Sequence, residues 1–245
     1  MDTKVNLKKK LPVDLITINC NKVEEGIKAL EYSSRDIEFN NIILFSDKDV
    51  SGNFELIKID EIRKIKEYNN FILRLSNFVT APFVLIIQDD GHIVNPKLWN
   101  DNFFDYDYIG APWPNSRKWN KRWIRYGDDI SSKIIKHSKY NQIGNGGFSL
   151  RSQKFLEYSA KFERYDERLG EDIYLNLYNY DKSKDFGINY PSLDLAIRFS
   201  YETTLKGRNL NKENKNKDYD FNRHFGWHGK NFKNYEKILD LKNNI

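Results

Sequence analysis

The 245-residue chain has one cysteine, Cys20, one methionine and four histidines. A single thiol excludes a disulfide within the chain and any zinc site built from cysteines. Four imidazoles leave little for a metal cage made by the protein alone. A chain without a disulfide framework suits a reducing compartment, so a cytoplasmic protein is expected. Long apolar runs are missing too. Nothing approaches the roughly 18 consecutive apolar residues of a membrane-spanning helix, so no transmembrane segment is expected. The opening MDTKVNLKKKLPVDLITI is basic, but its apolar stretch is short and broken by Pro12 and Asp14; it reads as a strand and not as a signal peptide. Neither sign of charge dominates. A formal net charge of +5 is compatible with anionic partners such as nucleotides, nucleic acids or lipid head groups, and equally with a lysine-rich background.

Aromatic side chains are what the chain has in excess: 15% of residues, against 39% hydrophobic residues in all and 31% charged. Aromatics therefore carry much of the core, with some left for stacking on a ligand. The length suits one large α/β domain. Short apolar runs at Val13–Asn19, Asn41–Phe45, Phe54–Ile59 and Phe83–Gln88 read as strands. Helical spacing separates them at Glu24–Ser33, Asp60–Tyr68 and Phe71–Val79. This alternation predicts a doubly wound, mostly parallel sheet flanked by helices, with FVLIIQ at its centre. Ligands of such sheets sit beyond the carboxyl ends of the strands. That rule singles out Thr17-Ile18-Asn19, Ser46-Asp47 and Gln88-Asp89-Asp90-Gly91-His92. Further on, a strand and turn are expected over Asp107–Trp113, a Gly-rich turn feeding a strand over Ile143–Leu150, and helices over Ser152–Phe162 and Glu171–Tyr180. Residues 206–219 read as a polar loop.

Four constellations carry chemistry, each beside a plainer reading. QDDGH at 88–92 places carboxylates where a divalent cation would bridge a diphosphate, which supplies the remaining ligands itself. It is also an ordinary polar strand-to-turn junction. IGNGGFSL at 143–150 permits close backbone approach to a ligand, or is a plain hairpin turn; it lacks the Walker lysine and the G-x-G-x-x-G spacing. Glu171-Asp172 at a helix start either complements the helix dipole or supplies a general base. His224 and His228, in RHFGWHG, are satisfied structural residues or part of a metal's coordination.

In order, QDDG, FFDYDYIGAPW, IGNGGFSLRS, GEDIY, RFSYE and FGWHG resemble a family of GT-A-like glycosyltransferases of bacteria and viruses, catalogued mainly as a domain of unknown function. The resemblance runs from about Leu11 to Gly229 and is closest over 84–150. It implies a single GT-A domain over residues 1–245. Within it, 11–92 would bind a nucleotide-sugar, UDP-sugars favoured, 93–229 would carry acceptor and catalysis, and 230–245 would be a tail. It implies a divalent cation, Mn2+ or Mg2+. The family's Asp-x-Asp positions are Gln88 and Asp90 here, so Asp90 is the expected metal ligand, with His92 and His228 as further ligands. Asp172 is implied as the base of an inverting hexosyl transfer, with Glu171 beside it to bind sugar hydroxyls. Asn145, Gly146 and Gly147 would line the sugar site. Thr17, Asn19, Ser46, Gln88 and Asp89 would edge the donor pocket, and Arg74 would reach its phosphates.

The acceptor is less legible. Residues 117–125, RKWNKRWIR, interleave five basic residues with two tryptophans. Trp113, Trp119, Lys121, Arg122 and Trp123 are therefore expected to bind the acceptor. Such a surface suits a nucleic-acid strand, including a hydroxymethylated DNA base flipped from its stack, and equally the faces of a glycan. A binding module without turnover is the reading of another class; Asp90 and Asp172, each where its role requires it, argue against it. A nucleotidyltransferase would need a Gly-rich basic loop after the first strand, and TINCNKVEEG is not one. The sequence names no protein partner.

Overall fold

The structure is a computed structural model describing residues 9–113, 124–162, 166–202 and 223–229. Its strands, in chain order, are β1 (Lys9–Lys10), β2 (Val13–Ile18), β3 (Ile37–Glu38), β4 (Asn41–Ser46), β5 (Glu55–Lys58), β6 (Phe83–Ile87), β7 (Gly91–Ile93), β8 (Tyr108–Gly110), β9 (Phe148–Ser152), β10 (Ser200–Tyr201) and β11 (Gly226–His228). Period-two alternation divides the central strands between two cores. Ile16, Ile18, Ile43, Phe45, Val84 and Ile86 pack with Ile72, Leu75 and Leu156. Val13, Leu15, Leu44, Leu85 and Ile87 pack with Ala29 and Leu30. With both faces covered, all of β2 is buried, which is why these strands read as continuous apolar runs.

The main sheet has the order β5-β4-β2-β6-β9-β8. β5, β4, β2 and β6 are parallel, and β9 is antiparallel to both β6 and β8. The fold is therefore the mixed, mostly parallel α/β sheet expected from the sequence. Phe83–Gln88 is central, as expected, and it is also where the parallel part ends. The chain runs outward from β2 to β4 and β5, then returns to β6 on the other side of β2. That reversal is the switch point at which open α/β sheets leave a ligand crevice. A smaller sheet, β10-β11-β7, follows directly from β6.

Three stretches depart from the sequence reading. The helices expected over 60–68 and 71–79 are one helix, Ile65–Leu73, followed by a tight turn at Leu75–Asn77. Its start is fixed by the Glu67 carboxylate, which accepts from the amides of Arg63 and Lys64 at 2.7 and 2.9 Å. The helix expected over Glu171–Tyr180 is α-helical only to Ile173 and π-helical over Tyr174–Tyr178. The π turn is wider by one residue, the Asn179 amide donating to the Tyr174 carbonyl at 3.0 Å, and the α-helix resumes at Tyr180–Asp185. The helix Leu193–Phe199 and the small sheet were not foreseen. The expected helix after β9 is Gln153–Ala160, with the Ser152 hydroxyl accepting from the Phe155 amide at 3.1 Å as its N-cap. The polar loop over 206–219 lies outside the described residues. No helix among the described residues is long and apolar enough to cross a membrane.

Aromatic packing joins the two sheets. Phe225, wholly buried one residue before β11, contacts Trp99 with ring centroids 5.1 Å apart, Phe199 at 5.8 Å and Phe148 of β9 at 6.0 Å. Phe225→Ala removes the ring that seats β11, and is expected to cost about 3–5 kcal/mol in urea unfolding. A loss under about 1 kcal/mol would mean that the small sheet is held by other contacts.

Candidate active site

The carboxyl ends of β2 and β6 open into a cleft of about 270 Å³, whose lining includes Asn19, Lys22, Arg63, Lys64, Tyr68, Gln88 and Asp89. Asn19 shapes one wall: its side-chain oxygen accepts from the amides of Asn21 and Lys22 at 3.1 and 2.7 Å, turning the chain into the helix Val23–Ser34. Lys22 reaches across, its Nζ 2.8 Å from Asp89 Oδ2, and this hydrogen bond raises the ammonium's affinity for its proton. Three expected donor residues therefore line one cleft: Asn19, Gln88 and Asp89. Thr17 and Ser46 are wholly buried. Arg74 lines a separate groove with Phe71 and Phe78.

Beside the cleft, β11 pairs with β7 and sets His228 opposite Gly91. The His228 Nε2 is 3.1 Å from Gln88 Oε1 and 3.3 Å from Asp90 Oδ1. The other ring nitrogen, Nδ1, is 3.4 Å from Glu202 Oε1. Burial works against a charged ring, yet the carboxylates of Asp90 and Glu202 outweigh it and lift the imidazole to about 10. Gly147 presses its backbone against the same ring: a Cβ there would lie 2.0 Å from His228 Nε2. His92 is wholly buried on β7 with its ring edge-on to Tyr32, centroids 5.7 Å apart. His224 is also buried, with Nδ1 against the Ile197 carbonyl.

The Gly-rich turn links this cluster to the GEDIY segment. The Gly146 amide donates to Asp172 Oδ2 at 3.2 Å. Burial and then the neighbouring Glu171 charge push the Asp172 carboxyl up to about 7, although the Ile173 and Gly146 amides oppose the rise. Glu171 is placed otherwise than the sequence suggested. Both its oxygens are held by Arg151, NH2 to Oε1 at 2.8 Å and NH1 to Oε2 at 3.2 Å, with Arg151 wholly buried and Glu171 4% exposed. The Asn145 side-chain oxygen accepts from the Gly147 amide at 3.1 Å, which closes the turn.

Among the described residues, no three His, Cys, Asp or Glu side chains are grouped to hold a metal by themselves. Asp90, His228 and Gln88 do converge, and a carboxylate oxygen, an imidazole nitrogen and an amide oxygen fit Mn2+ or Mg2+ when a diphosphate and water complete the shell. His228 would have to give up its proton to bind. Of the expected acceptor residues, Trp113 is 6% exposed, its ring against Gly144. Trp119, Lys121, Arg122 and Trp123 lie outside the described residues. Sequence reasoning assigned no role to Lys22, Arg151 or Glu202. Glu202 stands in the RFSYE motif and Arg151 in IGNGGFSLRS, so their signal was membership of those blocks; for Lys22 there was none.

Two expectations follow for folding. Between about pH 4 and 7, folded Asp172 holds a proton that the unfolded chain has released, so its contribution to stability falls as pH rises through that window. Asp172→Asn removes this slope: its thermal midpoint should match the parent's near pH 4 and exceed it at pH 8. Equal midpoints at both pH values would place the carboxylate in water. Gly147→Ala has no room for its methyl, so it should displace His228 and lower the thermal midpoint by several degrees. A variant as stable as the parent would show that the turn can retreat.

A sequence profile of the family described as "Protein of unknown function (DUF5672)" matches residues 52–217. No curated protein matches the chain. Among solved structures, it is similar to glucosyl-3-phosphoglycerate synthase from Mycobacterium tuberculosis in complex with Mn2+, uridine diphosphate and glucosyl-3-phosphoglycerate, with 10% identity and a TM-score of 0.44 over 69% of this chain and 65% of that one. It is also similar to the galactosyltransferase LgtC in complex with donor and acceptor sugar analogs, with 12% identity and a TM-score of 0.46 over 95% and 96%. The mannosyltransferase PcManGT from Pyrobaculum calidifontis, in complex with GDP-Man and Mn2+, shows 10% identity and a TM-score of 0.42 over 74% and 55%. These are likenesses of chain course alone.

Proposed function

The chain belongs to the DUF5672 family of unknown function, and we propose that it is a metal-assisted, inverting glycosyltransferase with Asp172 as its base. One observation carries the reading. Gly146 and Gly147 are consecutive; the first donates to Asp172 and the second abuts the His228 ring. A candidate base and a candidate metal ligand thus meet on residues whose Cα atoms are about 3.8 Å apart. A single displacement at an anomeric carbon needs this pairing, with proton removal on one side and a departing diphosphate on the other.

The donor is a nucleotide-sugar, UDP-sugars favoured, seated in the cleft of Asn19, Lys22, Gln88 and Asp89. Lys22, Arg63 and Lys64 give its diphosphate counter-charge. Asp90, His228 and Gln88 would hold a divalent cation, Mn2+ or Mg2+, which neutralises charge on the leaving diphosphate when bound. Asp172 takes the proton of an acceptor hydroxyl, for which we favour a saccharide. The freed oxygen forms its bond to the anomeric carbon as the bond to the diphosphate breaks, inverting that carbon. An Asp172 carboxyl that titrates at about 7 is well matched to accepting a proton near neutrality.

Thermal shift with UDP-, GDP- and other nucleotide-sugars, with and without Mn2+, tests the donor: one should stabilise the protein selectively and only with the metal. No stabilisation by any of them would remove the transferase reading. Asp172→Asn should keep donor binding and lower transfer at least ~10²-fold, the usual scale for a lost general base. In the parent, the rate should rise with pH through about 7. Asp90→Ala should abolish the Mn2+-dependent part of donor binding; unchanged Mn2+ dependence would take Asp90 out of the cation site.

A further inference from the structure

The Arg151–Glu171 pair is unused by this reaction. Replacing a buried ion pair by apolar side chains of similar volume is often neutral or stabilising, so its presence is weak evidence of a purely structural duty. Its connections converge on the base. Arg151 Nε donates to the Ser149 hydroxyl at 3.0 Å, and that hydroxyl donates to the Gly146 carbonyl at 3.0 Å. The Glu171 amide donates to Asn69 Oδ1 at 3.2 Å, tying the segment to the helix Ile65–Leu73. A Cβ on Gly146 would lie 2.4 Å from Glu171 Oε1, so the turn rests on the held carboxylate. The Tyr108 hydroxyl donates to the carbonyls of Gly144 and Asn145 at 2.9 and 3.0 Å and secures the start of the turn.

We propose that Arg151 and Glu171 are a positioning pair: the buried guanidinium fixes the Glu171 carboxylate and the Gly146 turn together, and so presents Asp172 beside the His228 cluster. The inference rests on Asp172 acting as the base. Glu171 has a second effect, because a like charge on the preceding residue disfavours ionisation of Asp172. The other charged or titratable groups facing Asp172 are Glu202 beyond β10, Tyr68 on the helix Ile65–Leu73 and Tyr108 on β8. Glu171 is the nearest in sequence and the largest charge effect on Asp172. Arg151 holds that carboxylate in place through both its oxygens and spares the site a lone buried charge.

The test is the pH at which the stability gain of Asp172→Asn stops growing, which is set by the folded Asp172 carboxyl and read from thermal midpoints between pH 4 and 8.5 in three backgrounds. The parent should give a value near 7. The paired replacement Arg151→Met with Glu171→Met leaves no unpaired buried charge, and Glu171→Gln keeps the side-chain shape should the pair fail to fold. In either background this levelling-off should come about one pH unit lower, a tenfold change in proton affinity. Turnover of the donor found by the Mn2+ screen should fall at least ~10-fold in kcat with its binding unchanged. A gain that still levels off near 7, with parental kcat, would overturn the proposal, whatever the midpoints themselves do. An inactive Asp172→Asn alongside that result would leave the base assignment standing and remove only the positioning pair. An active Asp172→Asn would remove both.

Discussion

The antiparallel pairing of β9 with β6 decides where the chemistry can be. Had β9 run parallel to its neighbour, its start would lie at the opposite edge of the sheet. Because it runs the other way, the turn that feeds it arrives at the carboxyl end of β6, and the Gln88 amide donates to the Gly147 carbonyl at 2.9 Å. That hydrogen bond extends the sheet pairing one step past the strand. It brings the Gly-rich turn to the same crevice that the switch from β2 to β6 leaves open.

Steric economy then does the rest. The turn is clamped between the His228 ring and the Glu171 carboxylate, with no volume for a side chain at Gly146 or Gly147. A backbone amide, and not a longer side chain, therefore touches Asp172, and the imidazole comes within 3.3 Å of Asp90. Phe225 and the aromatic cluster around Trp99 and Phe199 hold β11 in register on β7, so the imidazole arrives on a strand. A side chain carried on a strand is placed more tightly than one on a loop.

Charge at the site is arranged in three separate balances. Lys22 faces Asp89 at the cleft, His228 lies between Asp90 and Glu202, and Arg151 neutralises Glu171 beneath the turn. Each carboxylate that a diphosphate or a cation would approach already has a cationic partner. Asp172 has backbone amides for hydrogen-bond donors and no cationic partner, and burial, then the like charge of Glu171, raises its proton affinity.

Much of this was written in the sequence. A short apolar run such as FVLIIQ, bounded by polar turns, reads as a strand covered on both faces, so the parallel sheet and its crevice were legible, and Asn19, Gln88, Asp89, Asp90 and His228 were named as candidates from sequence. Short-range pattern also marked the Gly-rich turn and the carboxylates of GEDIY. Pairing between distant segments was not legible. Glu171 and Arg151 are separated by 20 residues, and His228 and Gln88 by 140; nothing local distinguishes an acid that binds sugar from one locked to a buried guanidinium. Arg74 was expected at the donor phosphates by analogy with the resembled family, and it lines another groove with Phe71 and Phe78. The sequence by itself determined which residues form strands and where carboxylates and glycines are available, because these follow from periodicity and backbone freedom. Only the tertiary structure decided which carboxylate is paired with a cation and which meets only backbone amides, because that depends on what buries and what neutralises it.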